Sequence, residues 1–408
     1  MRWFKYDREI LKDKSKYTMV VSQILLNIIN FWPEKYSFAT KISFIIMFLT
    51  CATMETSLVI YLLTSIEDVT SFTKVISSAA VVMQCMTKMC IVFFNSKKLN
   101  VIIKTVWYEF WPSNMMGAIT EENIRSDSKI LLVGFLIEYG LGCVFLLLFI
   151  IAPAMTGIRQ LPYNAWYPFE WSTTPTYEIL YVLQVYIDIY IIANTVCGYD
   201  FLYGSICVNC IAQFRLLNEA IKKIGTGKEA ELTSLLLETP GVNYRPIFNK
   251  EYEKERRLLV ICIQHHQKLI NICYQLNKIF TYGHFVQLSA SVMAICMSCY
   301  LITTESSANE LSFLTSYYIA HVSQLLVLCA ISNEVTHWSS SLSITAYECA
   351  WYNNKYTDIR KCLSIVIMRS QKPLSMQALG LFELSYASFL GIMRFTFSLY
   401  TFLGKMAN

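Results

Sequence analysis

Polar residues interrupt the chain at long intervals and leave seven stretches of mostly apolar sequence. They run over 41–64, 72–94, 129–152, 177–208, 276–304, 312–332 and 376–405. A helix of roughly 20 apolar residues is what the hydrocarbon layer of a bilayer, about 30 Å thick, requires. The pattern predicts seven membrane-spanning helices, the fourth and seventh more mixed than the third because tyrosines and acids interrupt them. Residues 20–32, ending before Pro33, have amphipathic spacing. They fit either a short helix in the cytoplasmic interface or one packed on the base of the bundle. Residues 334–370 also read as helical, with Trp338, Leu342, Ala346 and Ala350 four apart on one side.

Composition agrees: 55% of the 408 residues are hydrophobic and 15% charged. Soluble domains are nearer 45–50% and 25%. The few charges are placed unevenly. Segments 1–36, 95–128, 209–275 and 333–375 hold seven, four, ten and five Lys or Arg, whereas the opposite side has only Arg159 and Lys405. Basic residues stay in the cytoplasm, so the amino terminus is expected inside and, after seven crossings, the carboxyl terminus outside. G-protein-coupled receptors have the reverse orientation. The amino-terminal MRWFKYDREILKDKSKY is too charged for a signal peptide. The net charge of +5 is a topology signal, without the aromatic-interleaved basic patch expected of nucleic-acid binding.

The fold class expected is an all-α membrane protein of seven spans with a cytoplasmic helical anchor. It divides into a cytoplasmic segment (1–40), spans one to four (41–208), a cytoplasmic helical segment (209–275), spans five and six (276–332), an anchor helix (333–375), and a seventh span with its tail (376–408). The outer loop 153–176 holds four prolines and the aromatics Tyr163, Trp166, Tyr167, Phe169 and Trp171, which suits an interfacial anchor or a lid over a cavity.

Enzyme chemistry finds little support. The fourteen cysteines avoid the outer segments, and the Cys207/Cys210 and Cys296/Cys299 pairs sit in apolar helices without a second pair to complete a zinc site. They read as small buried hydrophobes. The five histidines form no metal box, and no Walker A, GxSxG or HExxH sequence occurs. No metal or cofactor is expected. Ionisable residues within spans are costly and draw attention to themselves. Lys88 and Lys278 are expected to snorkel from cytoplasmic ends, and Glu138, Asp188, Asp200 and Glu383 to join inter-helix hydrogen-bond networks.

The carboxyl end is the most specific region. Ala346, Tyr347 and Trp351 form an A-Y-x-x-x-W run, and RSQKP follows at Arg369 to Pro373. Then come Gly-Leu-Phe at 380–382, Ser385, Phe389, Arg394 and the ending FTFSLYTFL. This resembles the carboxyl-terminal signature of insect odorant receptors, and Trp32-Pro33 and the loop before span four fit the same family. The resemblance implies a subunit of a tetrameric, odorant-gated, non-selective cation channel in the plasma membrane of olfactory sensory neurons. Its implied partners are the shared co-receptor Orco, a small volatile odorant, permeating cations and membrane lipid. The chain lacks the enlarged second cytoplasmic insertion of the co-receptor, so it resembles the tuning subunit.

On the seventh span, Ser388, Gly391, Phe395, Ser398, Phe402 and Met406 recur every three or four residues. Such a hydroxyl-bearing, aromatic stripe suits a pore that gates by dewetting, and the resemblance puts Phe402 and Met406 at the outer constriction. Arg394 lies beside the stripe and is expected at an interface or in an ion pair. Family pockets lie in the outer half of the bundle. There the helical faces offer Ser78, Val82, Gly142, Phe145, Phe149, Tyr181, Gln184, Asp188, Tyr317, Tyr318 and His321. An apolar cavity with a few hydroxyls suits a small volatile. A gustatory receptor of the same superfamily and a polytopic transporter are the rival readings. The first is disfavoured by the tail and the second by proline-free spans without repeats.

Overall fold

A computed structural model describes residues 17–64, 69–155, 159–238, 253–304, 308–353 and 357–407. Five of its helices are long and apolar enough to cross a membrane: α2 (Phe38–Thr64), α3 (Val69–Phe94), the rod formed by α6 (Thr176–Tyr186) and α7 (Ala193–Lys222), α9 (Glu253–Thr304) and α10 (Ala308–Glu348). The sixth and seventh are α5 (Ala118–Met155) and α12 (Tyr386–Ala407). Even α12, with 22 residues, is about 33 Å long, enough for the hydrocarbon layer. Short helices α1 (Tyr17–Ile28), α4 (Ser96–Tyr108), α8 (Glu229–Glu238) and α11 (Thr357–Ser370) complete the chain.

Helix lengths separate membrane from non-membrane parts. At 52 residues α9 is about 78 Å long, and at 41 residues α10 is about 62 Å. Both therefore extend well beyond a bilayer on the cytoplasmic side, α9 with a basic end at Lys254, Arg256 and Arg257 and α10 with a polar one rich in serine and threonine. There, α1 packs against α7, with Leu25 and Leu26 buried over Gly198. Of the two placements open to residues 20–32, the structure has the helix packed on the bundle.

The base is dense and aromatic. Trp32, Trp107 and Trp111 are essentially inaccessible. Trp111 exchanges two backbone hydrogen bonds of 2.9 Å with the Gln213 amide and stacks on His265 at 4.0 Å. His266, one residue on, faces Phe214 instead. Higher up, Gly204 gives Phe135 the space a Cβ would fill, and Gly283 does the same for the Tyr199 hydroxyl. By contrast α2 exposes Ile42, Ile45, Ile46, Leu49 and Leu63 along one side, as a lipid-facing helix must.

Four sequence expectations are corrected here. The helix predicted across 334–370 breaks after Glu348, where the Ala350 carbonyl abuts Gly225 and a short turn leads into α11. The span expected from 376 begins at Tyr386 instead. Residues 376–385 form a hairpin of β1 (Gln377–Ala378) and β2 (Phe382–Glu383), turned by Leu379 and Gly380 at positive φ. Backbone N–H groups of Gln377 and Leu379 donate to Asn277 and Thr281 on α9, satisfied by side chains rather than by a helical ladder. Glu383 therefore lies outside any span, exposed in β2. Lys88 does not snorkel: it is fully buried, its Nζ 2.7 and 2.9 Å from the two Asp200 carboxylate oxygens. Lys278 is exposed.

Candidate ligand cavity and channel helix

The rod of α6 and α7 is interrupted by a π-helical segment, Ile187–Ile192. Such a segment widens the helix and is frequent at functional positions. This one borders a partly open cavity of about 210 Å³ in the outer half of the bundle. Pockets for drug-sized ligands run to roughly 300–1,000 Å³, so this space suits a smaller molecule. Its walls come from α3, α5, the π segment, the start of α7, α9 and α10. Most of the lining surface is apolar, and among its polar groups are those of Gln84, Glu138, Asp188, Tyr317, His321 and Gln324.

The outer loop closes the top. Gln184 on α6 accepts from the Tyr163 backbone N–H at 2.8 Å and donates to the Tyr163 carbonyl at 3.3 Å and the Tyr167 hydroxyl at 2.8 Å. The Tyr163 hydroxyl donates to Asp188 Oδ1, and the Trp166 N–H donates to the Ser57 carbonyl on α2 at 3.1 Å. Pro162, Tyr163 and Asn164 consequently form part of the cavity wall. Of the two roles open to this loop, the geometry is that of a lid.

Below the cavity the Lys88–Asp200 pair is extended by Gln324, whose amide donates to Asp200 Oδ2 at 2.8 Å. The Tyr199 ring stands 5.1 Å from the Lys88 ammonium. A buried charge pair survives only with such added hydrogen bonds, and Gln324 ties this one to the cavity wall.

Of the residues anticipated for the pocket, Ser78, Gly142, Asp188, Tyr317 and His321 line this cavity. Val82 is fully buried in the core and does not. Gln184 and Tyr181 are set back because the loop stands between α6 and the cavity. Gln184 holds Tyr163, and Tyr181 pairs with Tyr177 at 5.9 Å between ring centres. Tyr318 is half-buried against the core rather than on the wall. Phe145 and Phe149 belong to α5, but their side chains lie outside the described residues. Sequence reasoning missed Tyr163 and Glu138 as wall residues. A glutamate in the middle of the third apolar stretch was the available signal for the second.

On α12, Phe389, Ile392 and Met393 pack on the core and Thr396 is buried. Ser388 is half-buried, while Gly391, Phe395, Ser398 and Arg394 are exposed. The anticipated stripe is therefore the face this chain leaves uncovered, as far as Ser398. The side chains of Phe402 and Met406 are outside the described residues. A second cleft, about 620 Å³, lies between α9, the end of α11 and the hairpin. It is more polar than the first cavity and is flanked by Arg369 and Lys372 on the cytoplasmic side, whereas small-molecule sites favour mainly apolar concavities. Among the described residues no cluster of metal-ligating side chains occurs.

Comparison with known proteins agrees with this architecture. The family described as 7tm odorant receptor matches residues 68–397. Odorant receptor 10 of Aedes albopictus is 23% identical over 66% of each chain, and Odorant receptor 30a of Drosophila melanogaster is 22% identical over 78% of each. Among solved structures, the insect olfactory receptor OR5 from Machilis hrabei in complex with eugenol superposes with a TM-score of 0.81. It is 14% identical, and the match covers 98% of this chain and 100% of that one. The same receptor in a second structure gives 0.77 at 15% identity, over 97% of each chain. The fold is thus that of a seven-transmembrane, multi-pass membrane protein, and the family is one of receptors rather than enzymes. The chain belongs to the insect odorant receptor family.

Proposed function

We propose that this chain is the odorant-tuning subunit of a ligand-gated, non-selective cation channel. It works with the co-receptor Orco in a heterotetramer in the plasma membrane of olfactory sensory neurons. A small volatile occupies the outer cavity, and the pore is lined by α12. The observation that carries this reading is the mainly apolar cavity of about 210 Å³, walled by five helices and flanked by a loop hydrogen-bonded to α6. Burial and shape hold a molecule in such a space, with a few polar groups orienting it.

The exposed face of α12 supports the pore assignment, because a helix that lines a shared pore must leave one face free of its own bundle. The cytoplasmic extensions of α9 and α10 supply surface for subunit assembly. Co-expression with the co-receptor, followed by recording under a panel of volatiles, tests the reading. Currents should arise only on co-expression and persist without GTP. Currents that require GTP, or substrate-coupled flux from the chain alone, would contradict it.

A further inference from the structure

Glu138 differs from its neighbours Asp188 and Asp200. Lying on α5, it is 8% exposed, lines the cavity, and makes no hydrogen bond among the described residues. Asp200 is held by Lys88 and Gln324, and Asp188 is held through Oδ1 by Tyr163. An unpartnered carboxyl in hydrocarbon surroundings is costly unless something satisfies it. Three more atoms of wall residues also have no partner: Asp188 Oδ2, Gln84 Nε2 and His321 Nδ1. So many polar groups around one small apolar space offer a ligand's polar headgroup several hydrogen-bond partners.

The chemistry narrows the headgroup. A hydroxyl donates to a carboxylate, and with a carboxylic acid it both donates and accepts, so it serves Glu138 in either form. An ester or ketone only accepts, and an alkane does neither. An ammonium carries only donors and would leave the Gln84 Nε2 donor without an acceptor. We propose that the cavity selects small neutral hydroxyl compounds, alcohols or phenols, through a hydrogen bond from the ligand O–H to the carboxyl of Glu138. This rests on the reading of the cavity as the odorant site.

The test uses the native chain co-expressed with the co-receptor. Hydroxyl compounds on linear, cyclic and aromatic skeletons are each compared with the analogue carrying methyl in place of hydroxyl. At least one hydroxyl compound should activate at roughly tenfold lower dissolved concentration than its analogue, the fold-change for one unpaired buried polar group. Glu138→Leu should erase that preference, and Glu138→Gln, which retains an acceptor, should keep it. Equal potency in the native chain, or a preference that survives Glu138→Leu, overturns the proposal. The cavity reading would then stand, because methyl analogues still open the channel. A native chain silent to every compound overturns both. If Glu138→Leu fails to reach the surface, the native and Glu138→Gln preferences decide, and the absence of either refutes the selection.

Discussion

Lys88 and Asp200 stand 112 positions apart in the chain, and their meeting illustrates what single residues contribute. Removing one member of a buried pair leaves the other uncompensated, at a cost of roughly 3–5 kcal/mol, whereas replacing both with apolar residues is often neutral. Asp200→Leu should therefore lower thermal stability and surface abundance sharply, and Lys88→Met combined with Asp200→Leu should recover most of the loss. A double variant no better than the single one would show that the pair does not stabilise the fold. The sequence offers no way to foresee this partnership. Position near a span end predicts snorkelling for a lone lysine, and only the packing of α3 against α7 supplies the counter-charge. Wall residues were more legible, because the family resemblance points to the outer half of the bundle and helical faces there offer Ser78, Asp188, Tyr317 and His321. That reading failed for Tyr181 and Gln184, where the loop carrying Tyr163 fills the space that their face would otherwise border.

At the level of elements, apolar length located the spans well and their ends poorly. The polar extensions of α9 and α10 continue the same helices because nothing in their sequence stops them, whereas the start of α12 is delayed by a hairpin. That hairpin turns on Leu379 and Gly380 at positive φ, and two of its N–H groups are satisfied by α9 side chains. No apolar pattern encodes such an arrangement. The π segment at Ile187–Ile192 was equally hidden, since its residues look like ordinary helix. For α12, the uncovered face through Gly391, Phe395 and Ser398 leads to a direct expectation. On the proposal that α12 lines the pore, Phe402→Ala, one turn beyond Ser398 on the same stripe, should change basal current or permeation in the assembled channel. Currents identical to those of the native complex would remove α12 from the pore.

For the whole molecule, the distribution of thirty-four basic residues in the sequence and seven apolar lengths were enough to specify the architecture. Where the cavity lies could not be read this way, because it depends on five helices and a loop closing around one volume. The central claim is that a volatile in this cavity opens the channel. Ala320 on α10 lines the cavity, and Ala320→Phe would fill part of it with a ring. Dose–response currents from the co-expressed channel, normalised to surface abundance, measure the consequence most directly. The account predicts loss of the native response or a shift to roughly tenfold higher odorant concentration, the scale of a lost apolar contact or steric clash. An unchanged dose–response curve at equal surface abundance would contradict it.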